Sequence, residues 1–121
     1  MAAAAAFLVH NVEEVTLDLP TWSAIHPILP WLSWMEQPGA FAIAVGLLSL
    51  AIGATAIYAI ATGPSWSGWA LAALAVVMLA NAASHIVISL YTSSFMPGVF
   101  TALLVITPIM LGVLLAMRRR A

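Results

Sequence analysis

Apolar residues dominate four stretches of the chain, and short polar or proline-containing segments separate these stretches. The last three are long enough for an α-helix to cross a bilayer, and the first, about 27 Å as a helix, would cross a thin one. From residue 37 to residue 117 there is no Asp, Glu, Lys or Arg. The pattern therefore predicts four transmembrane helices, over residues 2–19, 39–61, 68–90 and 97–117.

The segments between the apolar stretches indicate how the helices are connected. Residues 20–38 contain four prolines and three tryptophans, which suits the headgroup region of a bilayer better than its interior. The other connections are short, so we expect neighbouring helices to be antiparallel. Pro108 falls inside the fourth stretch and predicts a kink there. The expected fold is an all-α, polytopic four-helix bundle with an interfacial Trp/Pro-rich segment after the first helix.

Composition supports one membrane domain over residues 1–121. The chain is 64% hydrophobic and 6% charged, whereas a soluble domain is about 25% charged. It contains no cysteine, which excludes disulfides, thiolate metal ligands and a cysteine nucleophile. No basic, aromatic-interleaved segment suggests a nucleic-acid partner. The N-terminus has no Lys or Arg before its first acidic residues, so we expect a retained helix, not a signal peptide.

Three consecutive arginines at residues 118–120 predict the orientation. Positively charged residues flanking membrane spans favour the cytoplasmic side. With four spans, both termini would be cytoplasmic, and residues 20–38 would lie outside. We expect the protein to be integral to the plasma membrane.

Ionisable residues inside the first apolar stretch are the strongest functional signal. His10 is three residues before Glu13 and four before Glu14, so the three side chains project from one side of a helix. Charged residues at membrane depth cost about 2.5–3.5 kcal/mol each on insertion scales, and they rarely persist without a use or a partner. The third stretch places a second polar stripe at a similar depth, formed by Asn81, Ser84 and His85.

These motifs resemble those of a known family. Residues 10–14, His-Asn-Val-Glu-Glu, fit the H-x-x-E-E signature of the HXXEE-domain proteins, small membrane proteins of unassigned activity. The family pattern also has a second histidine, which His85 fits, and a Y-x-P-G motif. Residues 95–98 match that motif with Phe95 in place of tyrosine, which argues against a catalytic phenol here. The resemblance implies enzymatic activity without indicating a reaction.

A metal site is the first chemistry that fits these residues. His10, His85 and one or both of Glu13 and Glu14 could bind one divalent cation, zinc or iron, with positions left for water or substrate. The second and fourth stretches contain no carboxylate or histidine. One metal per chain is therefore the limit unless the protein oligomerises.

Other functions use the same residues without a metal. Burial in a bilayer raises the pKa of a carboxyl group, and a Glu/His pair could then transfer protons to or from a lipophilic substrate. The expected reactions are of isomerase, cyclase or hydrolase type. The alternatives are a small proton- or ion-coupled transporter that works as a homodimer, and a polar cluster with a purely structural role. Expected partners are membrane lipids and a lipophilic small molecule.

Individual roles can also be predicted. Glu13 and Glu14 are about 100° apart around a helix, so they cannot face one point equally. We expect Glu13 to contact His85 directly or through one water, and Glu14 to orient His10 or close the site. Supporting roles are expected for Asn81, Ser84, Pro97 and Gly98. Asp18, His26 and Glu36 are expected at a helix end, at headgroup level and in a loop, respectively.

Overall fold

The computed structural model describes residues 1–27 and 36–119, and all regular structure within these ranges is helical. Trp31 and Trp34, predicted at the interface, lie outside the described residues. A π-helical segment, Ala102–Ile106, joins the last two helices into one continuous rod. The helices are α1 Ala2–Thr16, α2 Leu19–Ile25, α3 Pro38–Thr62, α4 Ser67–Thr92, α5 Val99–Thr101 and α6 Thr107–Arg118.

Three helical segments in the described ranges are long and apolar enough to cross a membrane, not the four that were predicted. They are α3, α4 and the rod Val99–Arg118. Helix α1 has 15 residues and ends at Thr16, not at residue 19. Its length of about 22 Å is below the roughly 30 Å thickness of a bilayer core. The all-α prediction holds for the described residues, and the four-helix count is not confirmed.

A sharp turn after Thr16 explains why α1 is short. Asp18 adopts the left-handed conformation (φ 55°, ψ 58°), which ends one helix direction and begins another. Its carboxylate accepts a hydrogen bond of 3.3 Å from the Thr21 backbone N–H and so caps α2. Pro20 lies in the first turn of α2, where its missing N–H needs no partner. The sequence analysis placed this boundary at Pro20 and missed the earlier turn at Asp18.

A kink was predicted at Pro108, and the structure has a π-helical segment, Ala102–Ile106, just before that residue. The Thr107 N–H bonds to the Ala102 carbonyl, five residues back. The Thr107 hydroxyl donates to the same oxygen at 2.7 Å. Because Pro108 has no N–H to donate, the ladder of regular helical bonds is interrupted at this point. The wider turns accommodate that interruption without ending the helix.

The core lies where α1, α4 and the α5–α6 rod meet. Small side chains predominate, which lets helix backbones approach closely. Helix α3 lies outside this core, packs against α1 and α2, and has Phe41 as its one fully buried residue. The core residues are Ala3, Ala6, Phe7, Ala75, Met78, Ala82, Ala102, Ile106 and Met110. Helix α1 is thus central, and its His10, Glu13 and Glu14 side chains face α4 and the start of the rod.

The two ends of α1 lie at opposite ends of the bundle. Met1 lines the same cavity as Trp66 and Met117. Trp66 lies just before the start of α4, and Met117 lies near the end of the rod. Just beyond the other end of α1, the Trp22 indole N–H donates to the Ser94 hydroxyl at 3.0 Å, in the loop that follows α4. Helix α1 therefore runs alongside α4 between the two ends, despite its shortness.

Candidate functional site

Two histidines and one glutamate converge in the core, near the end of the bundle that carries the 93–98 loop. Glu14 Oε1 lies 3.3 Å from His10 Nε2 and 3.0 Å from His85 Nε2. The imidazole rings meet edge to face, with centroids 4.9 Å apart. His10 is 1% exposed and His85 2% exposed. One potential ligand atom from each of the three residues lies within 4.8 Å of the others.

The contacts of His10 indicate where its proton sits. His10 Nδ1 is 2.8 Å from the Thr101 hydroxyl oxygen, and that hydroxyl donates to the Gly98 carbonyl at 3.2 Å. The Asn81 side-chain amide donates to His10 Nε2 at 2.9 Å. Because the Thr101 hydroxyl donates its hydrogen bond to the Gly98 carbonyl, its oxygen accepts a hydrogen bond from His10 Nδ1. Nδ1 therefore carries the hydrogen, and Nε2 presents its lone pair. That lone pair is on the side of the ring facing Glu14.

His85 has a less complete set of polar contacts. Its Nε2 is the nitrogen next to Glu14. Its Nδ1 is buried and has no hydrogen-bond partner among residues 1–27 and 36–119. Burying a polar atom without a hydrogen-bond partner costs free energy. Among the described residues, the Glu14 carboxylate provides the polar contact of this ring, at Nε2.

Glu13 serves a different part of the molecule. Its Oε1 accepts hydrogen bonds from the backbone N–H groups of Gly98 (3.2 Å) and Phe100 (3.3 Å), and its Oε2 accepts one from Thr101 (2.7 Å). These N–H groups lie at the N-terminus of the α5–α6 rod, where backbone donors have no partner within the helix. The helix dipole also favours a negative charge at this position. Glu13 therefore anchors the start of the rod on α1.

The structure differs in part from the predicted roles of the two carboxylates: Glu14 lies beside His10, as expected, but it also takes the place beside His85 that was predicted for Glu13. Glu14, not Glu13, contacts both imidazoles. Because the two side chains are about 100° apart around α1, one of them cannot reach both the imidazoles and the start of the rod. Deciding which carboxylate faces which neighbour required knowing that the rod begins beside Glu13, and the sequence does not contain that information.

Gly98 forms the floor of the site. Its φ is +94°, a conformation that side-chain-bearing residues rarely adopt. A Cβ at this position would lie 2.7 Å from His85 Cε1 and 2.9 Å from His10 Cε1. Pro97 before it is buried. A supporting role was expected for Pro97 and Gly98, and at Gly98 it consists of a close approach of the backbone to the two imidazoles.

The remaining polar candidates lie at or beyond the edge of the site. Asn81 contacts His10, but exposed Ser84 donates to the Asn81 carbonyl at 2.7 Å within its own helix. Phe95, at the tyrosine position of the family motif, is 74% exposed and lies against Phe100. His26 stacks on a tryptophan of α2, away from the cluster. Ser84 and Phe95 thus contribute no group to the convergent cluster.

Sequence reasoning missed two polar residues beside the cluster. Thr101 was overlooked because only carboxylates and histidines were sought in the fourth stretch. Its position three residues after Gly98, in the first turn of a helix, was the available signal. Asn11, inside the H-x-x-E-E motif, is buried and donates to Ser49 of α3 at 2.8 Å. That bond joins α3 to the helix that carries the site.

Fold and site together define an all-helical chain with membrane-length helices and a buried His–Glu–His cluster. The chain matches, over residues 1–113, the model of a family described as "Protein of unknown function with HXXEE motif". It belongs to that family, and the resemblance noted in the sequence is confirmed. No curated protein and no solved structure matches the chain.

Proposed function

We propose that this chain is a membrane-embedded enzyme in which His10, Glu14 and His85 bind one divalent cation, zinc or iron, and that it acts on a lipophilic small molecule. The convergence of two imidazole nitrogens and one carboxylate oxygen in the core carries this proposal. Its elements are the ligand set, the surroundings of the site and the placement of the chain in a membrane.

The spacing of the three atoms supports metal binding. Zinc binds nitrogen and oxygen ligands at about 2.0–2.2 Å, so two ligands of a tetrahedral site are separated by roughly 3.4 Å. Glu14 Oε1 is 3.3 and 3.0 Å from the two Nε2 atoms. The Thr101 hydroxyl holds the His10 tautomer that leaves Nε2 free to bind, as outer partners of metal-binding histidines commonly do. A cation at Nε2 would displace the Asn81 amide from that lone pair.

The ligand set suits catalysis better than a purely structural metal site. Two histidines and one carboxylate leave coordination positions for water or substrate. A cation held by these three residues would supply Lewis acidity. Ala82, Ala102 and Met78 belong to the apolar core and lie on α4 and the rod, two of the elements that contribute to the site. Such surroundings favour a lipophilic substrate and an isomerase, cyclase or hydrolase type of reaction.

Membrane insertion of the whole chain as one domain is part of the proposal. We infer that α1 is a short fourth crossing, because its ends lie near opposite ends of α4. Both termini are then on the cytoplasmic side of the plasma membrane, with the arginines of the C-terminus. The site lies in the half of the bilayer opposite those arginines. Lipids are the surrounding partners, and a homodimer is the oligomeric state to be tested.

Metal analysis of purified protein tests the ligand assignment. We expect about one zinc or iron per chain after reconstitution with either ion, and loss of that metal in His10→Ala and His85→Ala. His26→Ala is the matched control, since the third histidine stacks on Trp22 outside the cluster. Absence of metal from the wild type, or equal metal in His85→Ala and His26→Ala, would contradict the proposal.

The transporter alternative has its own readout. If the cluster is a transport site, protein reconstituted in liposomes should move the cation or protons across the bilayer, and His85→Ala should abolish that flux. A resident catalytic metal instead predicts stable metal content and no wild-type flux above that of empty liposomes. A cluster that binds no cation and moves none would be structural.

A further inference from the structure

A lipid-accessible groove lies at the end of the bundle opposite the His–Glu–His cluster. It has a volume of about 670 Å³ and runs between α3 and α4, with the start of α1 as its floor. The groove exists because α3 packs on α1 and α2 and diverges from α4 after the short turn that joins them. Its volume falls in the range typical of sites for small-molecule ligands, about 300–1,000 Å³.

The walls of the groove are mostly apolar, with the one hydroxyl of Thr55, and its mouth is amphipathic. Ala56 and Ala59 of α3 face Ala70 and Leu74 of α4 across the cavity. At the mouth are the Trp66 ring and the Ser67 residue, which suit the interfacial region of a bilayer. This gradient, from an amphipathic rim to an apolar interior, matches a molecule with a polar head and a hydrocarbon chain.

The charge beside the mouth specifies the head. Met117 lines the groove, and the next residues, Arg118 and Arg119, are exposed. The four acidic residues of the chain, by contrast, all lie at residue 36 or earlier, and none lines the groove. Exposed arginines at a membrane surface attract anionic lipid headgroups and bind phosphate through several N–H donors.

We propose that this groove binds one acyl chain of an anionic membrane phospholipid, whose phosphate lies at Arg118 and Arg119. This lipid site is separate from the His–Glu–His cluster, and the proposal does not depend on metal binding. The inner end of the groove is lined by Ile52 and Leu74. Ser49, which bonds to Asn11, is three residues, or about 4.5 Å along the helix, beyond Ile52. The bound chain therefore points toward the hydrogen bond between Asn11 and Ser49.

Native mass spectrometry of the purified protein tests the proposal. The probe is an equimolar mixture of phosphatidylglycerol and phosphatidylcholine with identical acyl chains. We expect one retained phosphatidylglycerol per chain, favoured over phosphatidylcholine by at least fivefold. The double variant Arg118→Gln/Arg119→Gln should lose most of the preference for the anionic lipid, because it keeps the groove and removes the two arginines assigned to the phosphate, leaving one of the three adjacent positive charges.

A groove-filling variant separates specific binding from adhesion of bulk lipid. Ala59→Trp places an indole in the cavity, and Ala73→Trp places the same side chain on an exposed face of α4 that does not line it. Only Ala59→Trp should lose the retained lipid. Equal lipid retention by the two variants, equal retention of the two lipids by the wild type, or a lipid-free dimer that occupies the groove would overturn the proposal. Metal content, measured on the same samples, should be unchanged in both tryptophan variants.

Discussion

The two adjacent carboxylates in the H-x-x-E-E motif contact different parts of the molecule. Glu14 lies between two buried imidazoles, whereas Glu13 collects three backbone N–H groups at the start of the α5–α6 rod. One side chain contributes charge to the site, and the other holds the backbone that forms its floor. The two consecutive glutamates are about 100° apart around α1, so one faces the imidazoles and the other faces the start of the rod.

Glutamine substitutions should separate these two functions. Glu14→Gln keeps the shape of the side chain but removes an anionic ligand, so we expect loss of metal with little change in thermal stability. Glu13→Gln turns an NH₂ donor toward backbone donors. It should lower the free energy of unfolding by about 1–3 kcal/mol while the folded fraction keeps its metal. Thermal unfolding and metal analysis of both variants measure this. Loss of metal from folded Glu13→Gln, with retention in Glu14→Gln, would restore the ranking predicted from sequence.

Gly98 is the position at which the smallest substitution should have the largest effect. Gly98→Ala adds a methyl group within 3 Å of both imidazoles and imposes a backbone conformation that alanine disfavours. We expect a loss of about 1–3 kcal/mol in stability, since residues forced into such conformations carry that cost, and weaker metal affinity. Gly112→Ala is the control, because nothing lies within 4 Å of its added methyl group. Similar behaviour of the two variants would show that Gly98 does not shape the site.

Residue identities in the site were only partly predictable. His10 and His85 could be paired because the predicted helices place both at a similar depth, His10 beside two glutamates and His85 in a stretch without Asp, Glu, Lys or Arg. The contacts of Glu13, Thr101 and Gly98 depend on where the α5–α6 rod begins relative to α1. That placement is a tertiary property, and hydropathy does not encode it.

At the scale of elements, long uncharged helices were predictable and the short one was not. About twenty predominantly apolar residues with no charge before the last residue leave few alternatives to a membrane-length helix, which applies to α3, α4 and the rod. The end of α1 instead depends on one residue, Asp18, that adopts a left-handed conformation and caps α2. Local capping chemistry of this kind shifts a boundary by several residues without leaving a signal in hydropathy.

The shortness of α1 has a consequence for the whole molecule. A helix of about 22 Å spans a bilayer core of about 30 Å only if the bilayer adapts or the flanking residues complete the crossing. Met1 at one end, and Leu17 and Asp18 at the other, lengthen the path beyond the helix itself. Polar Glu13 and Glu14 near the second end also shorten the strictly apolar part. We therefore expect the bilayer to be locally thin around α1.

Cysteine labelling can decide whether α1 crosses. The natural chain has no cysteine, so Ala2→Cys, Ser23→Cys and Ser65→Cys each give a single reactive site. If there are four crossings, an impermeant maleimide should label Ser23→Cys in intact cells. It should label Ala2→Cys and Ser65→Cys only after permeabilisation, because the arginines keep that side cytoplasmic. If α1 lies along the surface instead, Ala2→Cys and Ser23→Cys will be labelled from the same side. Labelling of Ala2→Cys and Ser65→Cys in intact cells, with none of Ser23→Cys, would show that the orientation is the reverse of the predicted one.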